Sequence, residues 1–393
     1  MADPIYVIDL FAGAGGFSSG VHMAGHKVIL CVEYWDKGLA IHHANFPDCI
    51  HVKMALGGDV ADFVAELKHF VEKALPPGAK WHLHGSPPCQ SFSIAQRQNK
   101  NHDVETDARS NLTKWYFDVL EGLDPPRWSF EQVPGVLKYI SKHVPWVLEK
   151  KDVNIYPACY GYEFGAPTMR KRLYIGKGWS FDDKTTAYGS KKRRRCPEEN
   201  NLSLHQTNSL LCDAVVAELN ADGARRYDGL PFTVEDVAIK TSANKWVTSR
   251  KEREKDPTKK NKWVPAPIGQ GLRCISKKPQ FATIASYALQ YWKRVSNNVE
   301  DAHPIASHLD GRWSKHRDLK PSELAAIQSF PIDSFYRIDD LKEHHLVWYA
   351  SLKDVNEDKD PATTLVTITN SARIRGVGNA VVSKIAKAMF VKS

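Results

Sequence analysis

The chain lacks the cysteine spacings on which disulfide frameworks and zinc fingers depend. Its seven cysteines are an odd number, lie far apart and include no Cys-x-x-Cys pair. We therefore expect reduced thiols and no metal site. The histidine pairs also lack partners at ligand spacing, which favours structural or surface roles for them; these are His42 and His43, His82 and His84, and His344 and His345.

Long apolar runs are missing as well. No stretch approaches the roughly 18 to 20 apolar residues that a membrane span needs. The first residues lack the basic segment and apolar core of a signal peptide, and no internal repeat indicates a solenoid. We expect a soluble globular protein that stays inside the cell, in the cytoplasm or nucleoid, or in the nucleus of a eukaryotic host.

Positive charge is in excess, with a net charge of +9 at pH 7. One basic block spans residues 250–262, and another consists of Lys191, Lys192, Arg193, Arg194 and Arg195. Such an excess favours a polyanionic partner. A solvated loop or a nuclear-import patch would have the same composition, so only the combination with a catalytic site makes nucleic acid the better interpretation.

Strand-like and helix-like segments alternate in the first part of the chain. Apolar runs at residues 6–11 and 28–33 predict buried strands, and residues 36–45 and 60–74 have helical patterns. This alternation predicts an α/β fold with a doubly wound, Rossmann-like sheet and sites at the carboxyl ends of the strands.

The alternation disappears between residues 177 and 310, where Lys, Asn, Pro and Trp are frequent. It returns as helical patterns at residues 320–329 and 380–390. We therefore expect a first domain at 1–176, a smaller irregular domain at 177–310, and a return to the first domain at 311–393.

A glycine turn and two carboxylates describe a nucleoside pocket. Gly13, Gly15 and Gly16 follow the first strand, and Glu33 ends the second, where it could accept hydrogen bonds from ribose hydroxyls. Asp59 would suit the exocyclic amine of an adenine. Each feature alone is compatible with an ordinary turn.

The segment Gly-Ser-Pro-Pro-Cys-Gln-Ser-Phe-Ser at residues 85–93 presents one thiol, that of Cys89. The two prolines make the loop rigid, and a thiol held out towards a cleft can act as a nucleophile. Taken alone, such a loop more often holds a buried, unreactive cysteine. Downstream, Glu131 follows a strand-like run, and Arg170 and Arg172 would face the same side of a strand.

Together these motifs resemble the C5-cytosine-specific DNA methyltransferase family. Five occur in the family's order, at residues 9–16 (Asp-Leu-Phe-Ala-Gly-Ala-Gly-Gly), 87–90 (Pro-Pro-Cys-Gln), 131–133 (Glu-Gln-Val), 170–172 (Arg-Lys-Arg) and 378–381 (Gly-Asn-Ala-Val). A sixth fits at 317–331. The resemblance covers residues 5–176 and about 315–390. It implies a methyltransferase that uses S-adenosyl-L-methionine and whose middle domain recognises the target in double-stranded DNA. We expect the protein to be a monomer and to belong to a restriction–modification system.

The resemblance assigns roles to individual residues. Cys89 would be the nucleophile that forms a covalent adduct with a flipped cytosine, Glu131 and Arg172 would hold the ring, and Arg170 would steady the catalytic loop or a phosphate. The cofactor pocket would be lined by Phe11, Gly13, Gly15, Gly16, Glu33, Tyr34, Trp35, Asp59, Val60, Pro88, Asn379 and Val381. DNA contacts would come from Gln90, Ser93, Lys191, Lys192, Arg193, Arg194 and Arg195.

The chain also departs from the family pattern. Gln132 replaces the usual Asn, Thr168 the usual Gln, and residues 375–377 lack the usual polar residue. The connection at 334–370 is long, and we expect a surface loop at its charged stretch, 354–360. Two alternatives stay open: an RNA-directed relative, whose Cys-Phe-Thr signature the middle region lacks, and a catalytically silent DNA-binding relative.

Overall fold

The computed structural model of the chain describes residues 3–92, 103–164, 166, 170–181, 237–240, 281–284, 316–318, 321–331 and 336–391. Seven strands form one sheet in the order β3-β2-β1-β4-β5-β7-β6. Their bounds are β1 Tyr6–Leu10, β2 Lys27–Val32, β3 Ile50–Val52, β4 Trp81–Gly85, β5 Trp128–Gln132, β6 Val153–Tyr160 and β7 Lys171–Lys177.

The sheet confirms the predicted doubly wound α/β fold. Strands β1 to β5 pair in parallel, so their carboxyl ends meet at one edge. Strand β7 inserts antiparallel between β5 and β6, an order that the sequence pattern did not predict.

Helices cover both faces of the sheet. Along β1, Val7 packs into one apolar cluster and Ile8 into another on the opposite face, as the alternation of side chains along a strand requires. Within the described residues 3–92 and 103–150, the helices are α1 Gly16–Met23, α2 Asp36–Asn45, α3 Val60–Ala74, α4 Ala108–Leu123, α5 Leu137–His143 and α6 Trp146–Glu149. Short 3-10 turns lie at Gln90–Phe92, Pro134–Val136 and Gly161–Phe164.

The end of the chain packs back onto its beginning. Helices α7 (Pro321–Ile327), α9 (Asn370–Asn379) and α10 (Ser383–Ala388) close the fold, and α10 lies against α1. A Cβ at Gly20 would stand 2.3 Å from the carbonyl oxygen of Ser383. Glycine in α1 therefore permits the close approach of the two helices.

A hairpin covers the edge of the sheet at β3. Strands β11 (Glu343–Trp348) and β12 (Ala362–Thr367) pair antiparallel, and the backbone of Tyr349 hydrogen-bonds His51 and Lys53 at 2.8 Å each. Pairing of this kind satisfies backbone groups that an open edge would expose.

The expectation of a surface loop at residues 354–360 was wrong for its first part. Residues 354–356 belong to helix α8 (Leu352–Asn356), whose first turn is capped by Ser351. Asn356 donates to the backbone carbonyl of Glu66 at 2.9 Å, and Lys73 donates to the carbonyl of Asn356 at 2.8 Å. The segment is therefore docked on α3 through these hydrogen bonds.

A second, three-stranded antiparallel sheet contains β8 (Val237–Lys240), β9 (Phe281–Ile284) and β10 (His316–Asp318), with β9 in the centre. Most of residues 177–310 lie outside the described part, as do Ser93, Thr168 and the basic block at residues 191–195. The domain at 177–310 and the DNA contacts of those residues stay predictions. Among the described helices, none is long and apolar enough to span a bilayer.

Candidate active site

A cavity of about 360 Å³ opens where the carboxyl ends of β1, β2, β4 and β5 meet. Its wall brings together residues that are up to 370 positions apart in the sequence. Twelve of the predicted site residues line it: Phe11, Gly13, Glu33, Tyr34, Trp35, Pro88, Cys89, Gln90, Glu131, Arg170, Asn379 and Val381.

Glu33 organises the turn after β1. Its carboxylate accepts hydrogen bonds from the backbone N–H of Gly13 at 3.0 Å and of Trp35 at 2.8 Å. Burial raises the pKa of Glu33, and these backbone donors partly oppose that rise. Phe11, with φ of 60°, adopts a left-handed conformation at the start of the same turn; such strain is typical of functional sites.

Four of the predicted cofactor residues lie outside the lining of the cavity. Asp59 is exposed and caps α3, accepting from the backbone N–H of Asp62 at 2.9 Å, with Val60 as the first residue of that helix. Gly15 has φ of 87° at the start of α1. A Cβ at Gly16 would lie 2.4 Å from the carbonyl oxygen of Val381, so this glycine permits the approach of a cavity-lining residue.

The Cys89 loop, residues 86–90, is held in place by Gln132, the last residue of β5. Gln132 is fully buried and donates through Nε2 to the carbonyl oxygens of Pro87 at 2.9 Å and Pro88 at 3.3 Å. Its Oε1 accepts from the backbone N–H of Val133 at 2.8 Å. Although Gln132 departs from the family pattern, it braces the loop. The partly exposed thiol of Cys89 is thereby held at the cavity.

Glu131, which lines the cavity together with Cys89, forms a nearly buried ion pair with Arg172. The distance between Arg172 Nε and Glu131 Oε1 is 2.9 Å, and the two side chains are 12% and 7% exposed. The antiparallel pairing of β5 with β7 brings these strands together. Arg172 is outside the cavity lining and reaches the site through Glu131.

Arg170 connects the site to the end of the chain. It is buried and donates to the carbonyl oxygens of Gly378 at 2.8 Å and Asn379 at 3.4 Å. Burial lowers the pKa of Arg170 to about 10, so the guanidinium stays charged near neutral pH. Its hydrogen bonds therefore hold the segment whose residues Asn379, Ala380 and Val381 line the cavity.

Two arginines that the motifs did not identify also line the cavity. Arg375 lies 4.5 Å above the ring of Trp35, a cation–π arrangement. Arg109 pairs with Asp107 at 2.6 Å, and Asp107 also accepts from the hydroxyl of Ser91 at 2.8 Å. For Arg375, the departure from the family pattern at residues 375–377 was a signal in the sequence. For Arg109, no sequence motif indicated a place in the site.

Comparison with known proteins identifies the family to which the chain is similar. The model of the C-5 cytosine-specific DNA methylase family matches residues 5–347. The type II methyltransferase M.AgeI of Thalassovita gelatinovora is 29% identical over 176 residues, which cover 43% of this chain and 38% of that protein. M.XorII of Xanthomonas oryzae pv. oryzae is 28% identical over 177 residues, with 43% and 39% covered. The chain thus spans about two fifths of the length of these curated relatives.

Solved structures share the fold over nearly the whole chain. Dnmt2 methyltransferase of S. pombe has a TM-score of 0.52 at 14% identity, and 99% of this chain and 98% of that chain are covered. The methyltransferase EhMeth of Entamoeba histolytica has a TM-score of 0.51 at 15% identity, with 98% and 97% covered. Because the family match spans most of the sequence, the chain belongs to the C-5 cytosine-specific DNA methylase family.

Proposed function

We propose that this protein is a DNA (cytosine-5)-methyltransferase, which transfers a methyl group from S-adenosyl-L-methionine to C5 of a flipped cytosine in a specific duplex sequence. The observation that carries the proposal is the convergence on a single cavity of one thiol, one nucleoside-type turn and one carboxylate that is paired with a guanidinium behind it. Membership of the family supports the same chemistry.

The residues around Glu33 fit the proposed cofactor. A carboxylate has about four lone-pair sites, and the backbone donors of the turn, Gly13 and Trp35 among them, do not use all of those on Glu33, so a ribose hydroxyl could donate to a remaining one. Phe11 and Trp35 add aromatic walls that suit a purine or a sulfonium group. When bound, the cofactor supplies an electrophilic methyl group.

The reaction needs a nucleophile because cytosine C5 is too weak to attack that methyl group directly. In our proposal the Cys89 thiolate adds to C6, and the electron pair of the C5–C6 double bond moves to C5, which becomes enamine-like. Methyl transfer to C5 leaves S-adenosyl-L-homocysteine as the product. Loss of the C5 proton to a base and elimination of the Cys89 thiolate from C6 then restore the aromatic ring and the free thiolate.

Glu131 and Arg172 would stabilise the charge that develops on the ring. The carboxyl group would hydrogen-bond N3 and the amino group, and the guanidinium would lie at O2. Their ion pair holds the Glu131 carboxylate before the base arrives. The target atoms are inaccessible in a stacked duplex, and the base must therefore be flipped, which costs a few kcal/mol.

A trapping experiment tests the nucleophile. Wild-type protein, Cys89→Ala and the control Cys159→Ala are incubated with labelled cofactor and duplex DNA carrying 5-fluorocytosine, whose C5 fluorine blocks the final elimination. We expect a covalent complex with the wild type and the control only, and turnover on ordinary duplex DNA to fall below detection in Cys89→Ala while its cofactor affinity is retained. Normal turnover by that variant would overturn the mechanism.

Transfer RNA in a parallel reaction distinguishes the RNA-directed alternative. We expect methylation of duplex DNA and none of transfer RNA. Methylation of transfer RNA alone would move the substrate to RNA and leave the Cys89 chemistry in place. A folded protein that binds DNA but methylates neither substrate would identify the catalytically silent relative.

A further inference from the structure

Two thiols and two imidazoles converge in the interior, away from the cavity. Cys31 lies on β2, His42 on α2, Cys49 just before β3 and His51 on β3. Their ligating atoms all lie within 4.8 Å of one another, and no side chain of the four is more than 6% exposed. We call them the thiol–imidazole cluster; none of its members lines the cavity described above.

The composition of the cluster matches a closed metal site. Two sulfurs at about 2.3 Å and two nitrogens at about 2.0 Å around one tetrahedral ion would stand roughly 3.3 to 3.8 Å from one another. The observed limit of 4.8 Å lets side-chain adjustments reach that geometry. A tetrahedral set of two thiolates and two imidazoles is typical of Zn²⁺.

A chain of hydrogen bonds orients His42 as a ligand. Ser18 Oγ lies 2.6 Å from Asp9 Oδ2, to which it donates, and 2.9 Å from His42 Nε2. Because the hydroxyl proton of Ser18 points to the carboxylate, His42 Nε2 carries its proton and donates to Ser18. The lone pair then sits on Nδ1, the atom that faces His51 Nε2 at 2.9 Å. Metal-binding histidines commonly have such an outer hydrogen bond that ends at a carboxylate.

His51 is placed by β3, the strand that carries it, and its Nε2 is the other partner of that 2.9 Å contact. One nitrogen of each imidazole therefore points into the cluster, and the outer nitrogen of His42 is held by Ser18. The buried pair His82 and His84 differs, because both of its rings bond to the hydroxyl of Ser129 at 2.8 Å. In the thiol–imidazole cluster, by contrast, the inward-facing nitrogens of His42 and His51 lie 2.9 Å apart, and both sulfurs lie within 4.8 Å of them.

We propose that Cys31, His42, Cys49 and His51 bind one Zn²⁺ ion as a structural site. Both thiols would lose their protons to solvent, and the four ligands would complete the coordination shell without an open position, which excludes a catalytic role for the ion. The ion would tie β2, α2 and β3 together. Glu33 follows Cys31 by two residues, and its N–H bonds the carbonyl of Val52, next to His51, at 3.1 Å, so the site would brace the strands that carry it.

Metal analysis of the purified protein tests the proposal. The full chain is purified without immobilised-metal chromatography, dialysed, and measured by plasma mass spectrometry. We expect about one zinc per chain, and a melting temperature that falls by roughly 5 °C or more after removal with a chelator. Titration of the metal-free protein with Co²⁺ should give the thiolate charge-transfer and intense visible bands of a tetrahedral site.

Matched variants locate the ion. Cys49→Ser and His51→Gln should each lose most of the zinc. Cys159→Ser, a buried thiol in another cluster, and His43→Gln, a histidine whose ring lies 4.8 Å from that of His51, should keep it. If the first two variants do not fold, the zinc content and Co²⁺ spectrum of the wild type still decide.

Three results would overturn the proposal. The first is wild-type protein that holds less than about a tenth of an equivalent of zinc and gives no cobalt–thiolate band. The second is zinc that persists in both ligand variants, which would place the metal elsewhere in the chain. The third is a Cys31–Cys49 disulfide found by mass spectrometry in freshly prepared protein.

Discussion

The side chain of Gln132 performs a task that depends on its length. Its amide reaches both proline carbonyls of the Cys89 loop and its oxygen holds the next backbone N–H. Replacing Gln132 by Ala leaves these buried groups without their partner, and each loss costs about 1 to 3 kcal/mol. We expect lower stability and a larger fall in kcat than in cofactor affinity.

The control for this prediction is Ser141→Ala. Ser141 donates to the carbonyl of Lys138 at an exposed position, so its loss should change stability by less than about 0.5 kcal/mol. Urea unfolding and single-turnover methylation provide the two measurements. An unchanged kcat in Gln132→Ala would show that the loop keeps its geometry without this brace.

Buried histidines should make stability depend on pH. Burial holds the pKa of both His82 and His84 well below its usual value, so the folded state keeps them neutral while the unfolded chain takes up protons near pH 6.5. Their contribution is fully present above pH 6.5 and is lost as pH falls. Each group changes the free energy of unfolding by at most about 1.4 kcal/mol per pH unit below that point.

His84→Gln isolates one of these contributions. The variant should be less stable than the wild type at pH 8, because it loses the stacking on Phe17. Between pH 6 and pH 5, however, its stability should fall less steeply. Urea unfolding at several pH values measures both slopes, and parallel curves would mean that His84 does not stay neutral in the folded protein.

At the level of elements, the contact between α1 and α10 packs the last helix of the chain against the first. A Cβ at Gly20 would meet the Ser383 carbonyl at 2.3 Å and the Ala386 Cβ at 2.5 Å. Gly20→Ala should therefore separate the helices and cost about 1 to 3 kcal/mol, despite the better helix propensity of alanine.

Gly58→Ala is the matched control, since a Cβ there meets nothing within 4 Å. Thermal melts of both variants should show a clear loss for Gly20→Ala and almost none for Gly58→Ala. Because α10 follows the cavity-lining residues Asn379 and Val381, cofactor binding measured by calorimetry should weaken only in the first variant. Equal melting temperatures would contradict the packing argument.

For the whole molecule, the excess charge should govern affinity for DNA. We expect that exchanging the five basic residues 191–195 for Gln weakens binding to all duplex sequences about equally and flattens the dependence of log K on log salt. Lys353 and Lys359, which pair with nearby carboxylates, serve as controls whose exchange should leave the slope unchanged. An altered target sequence instead would assign base readout to the block.

The sequence alone was sufficient for the fold class and the family. Four of these features lie at the end of a strand or in an adjoining turn, where local chemistry is visible: the glycines after β1, Glu33 after β2, Cys89 after β4 and Glu131 within β5. The motif at 170–172 lies at the start of β7 instead, and the motif at 378–381 at the end of α9. Periodicity predicted the parallel strands and the helices, because both are set by residues that are close in the chain.

Only the tertiary structure decided the contacts between distant segments. It determined that β7 runs antiparallel beside β5, that Gln132 braces the Cys89 loop, and that Arg375 covers Trp35. It also brought Cys31, His42, Cys49 and His51 together, although their spacing matches no metal motif. Such contacts depend on which strands become neighbours and how helices pack over them, and neither is encoded in the local pattern of apolar and polar residues.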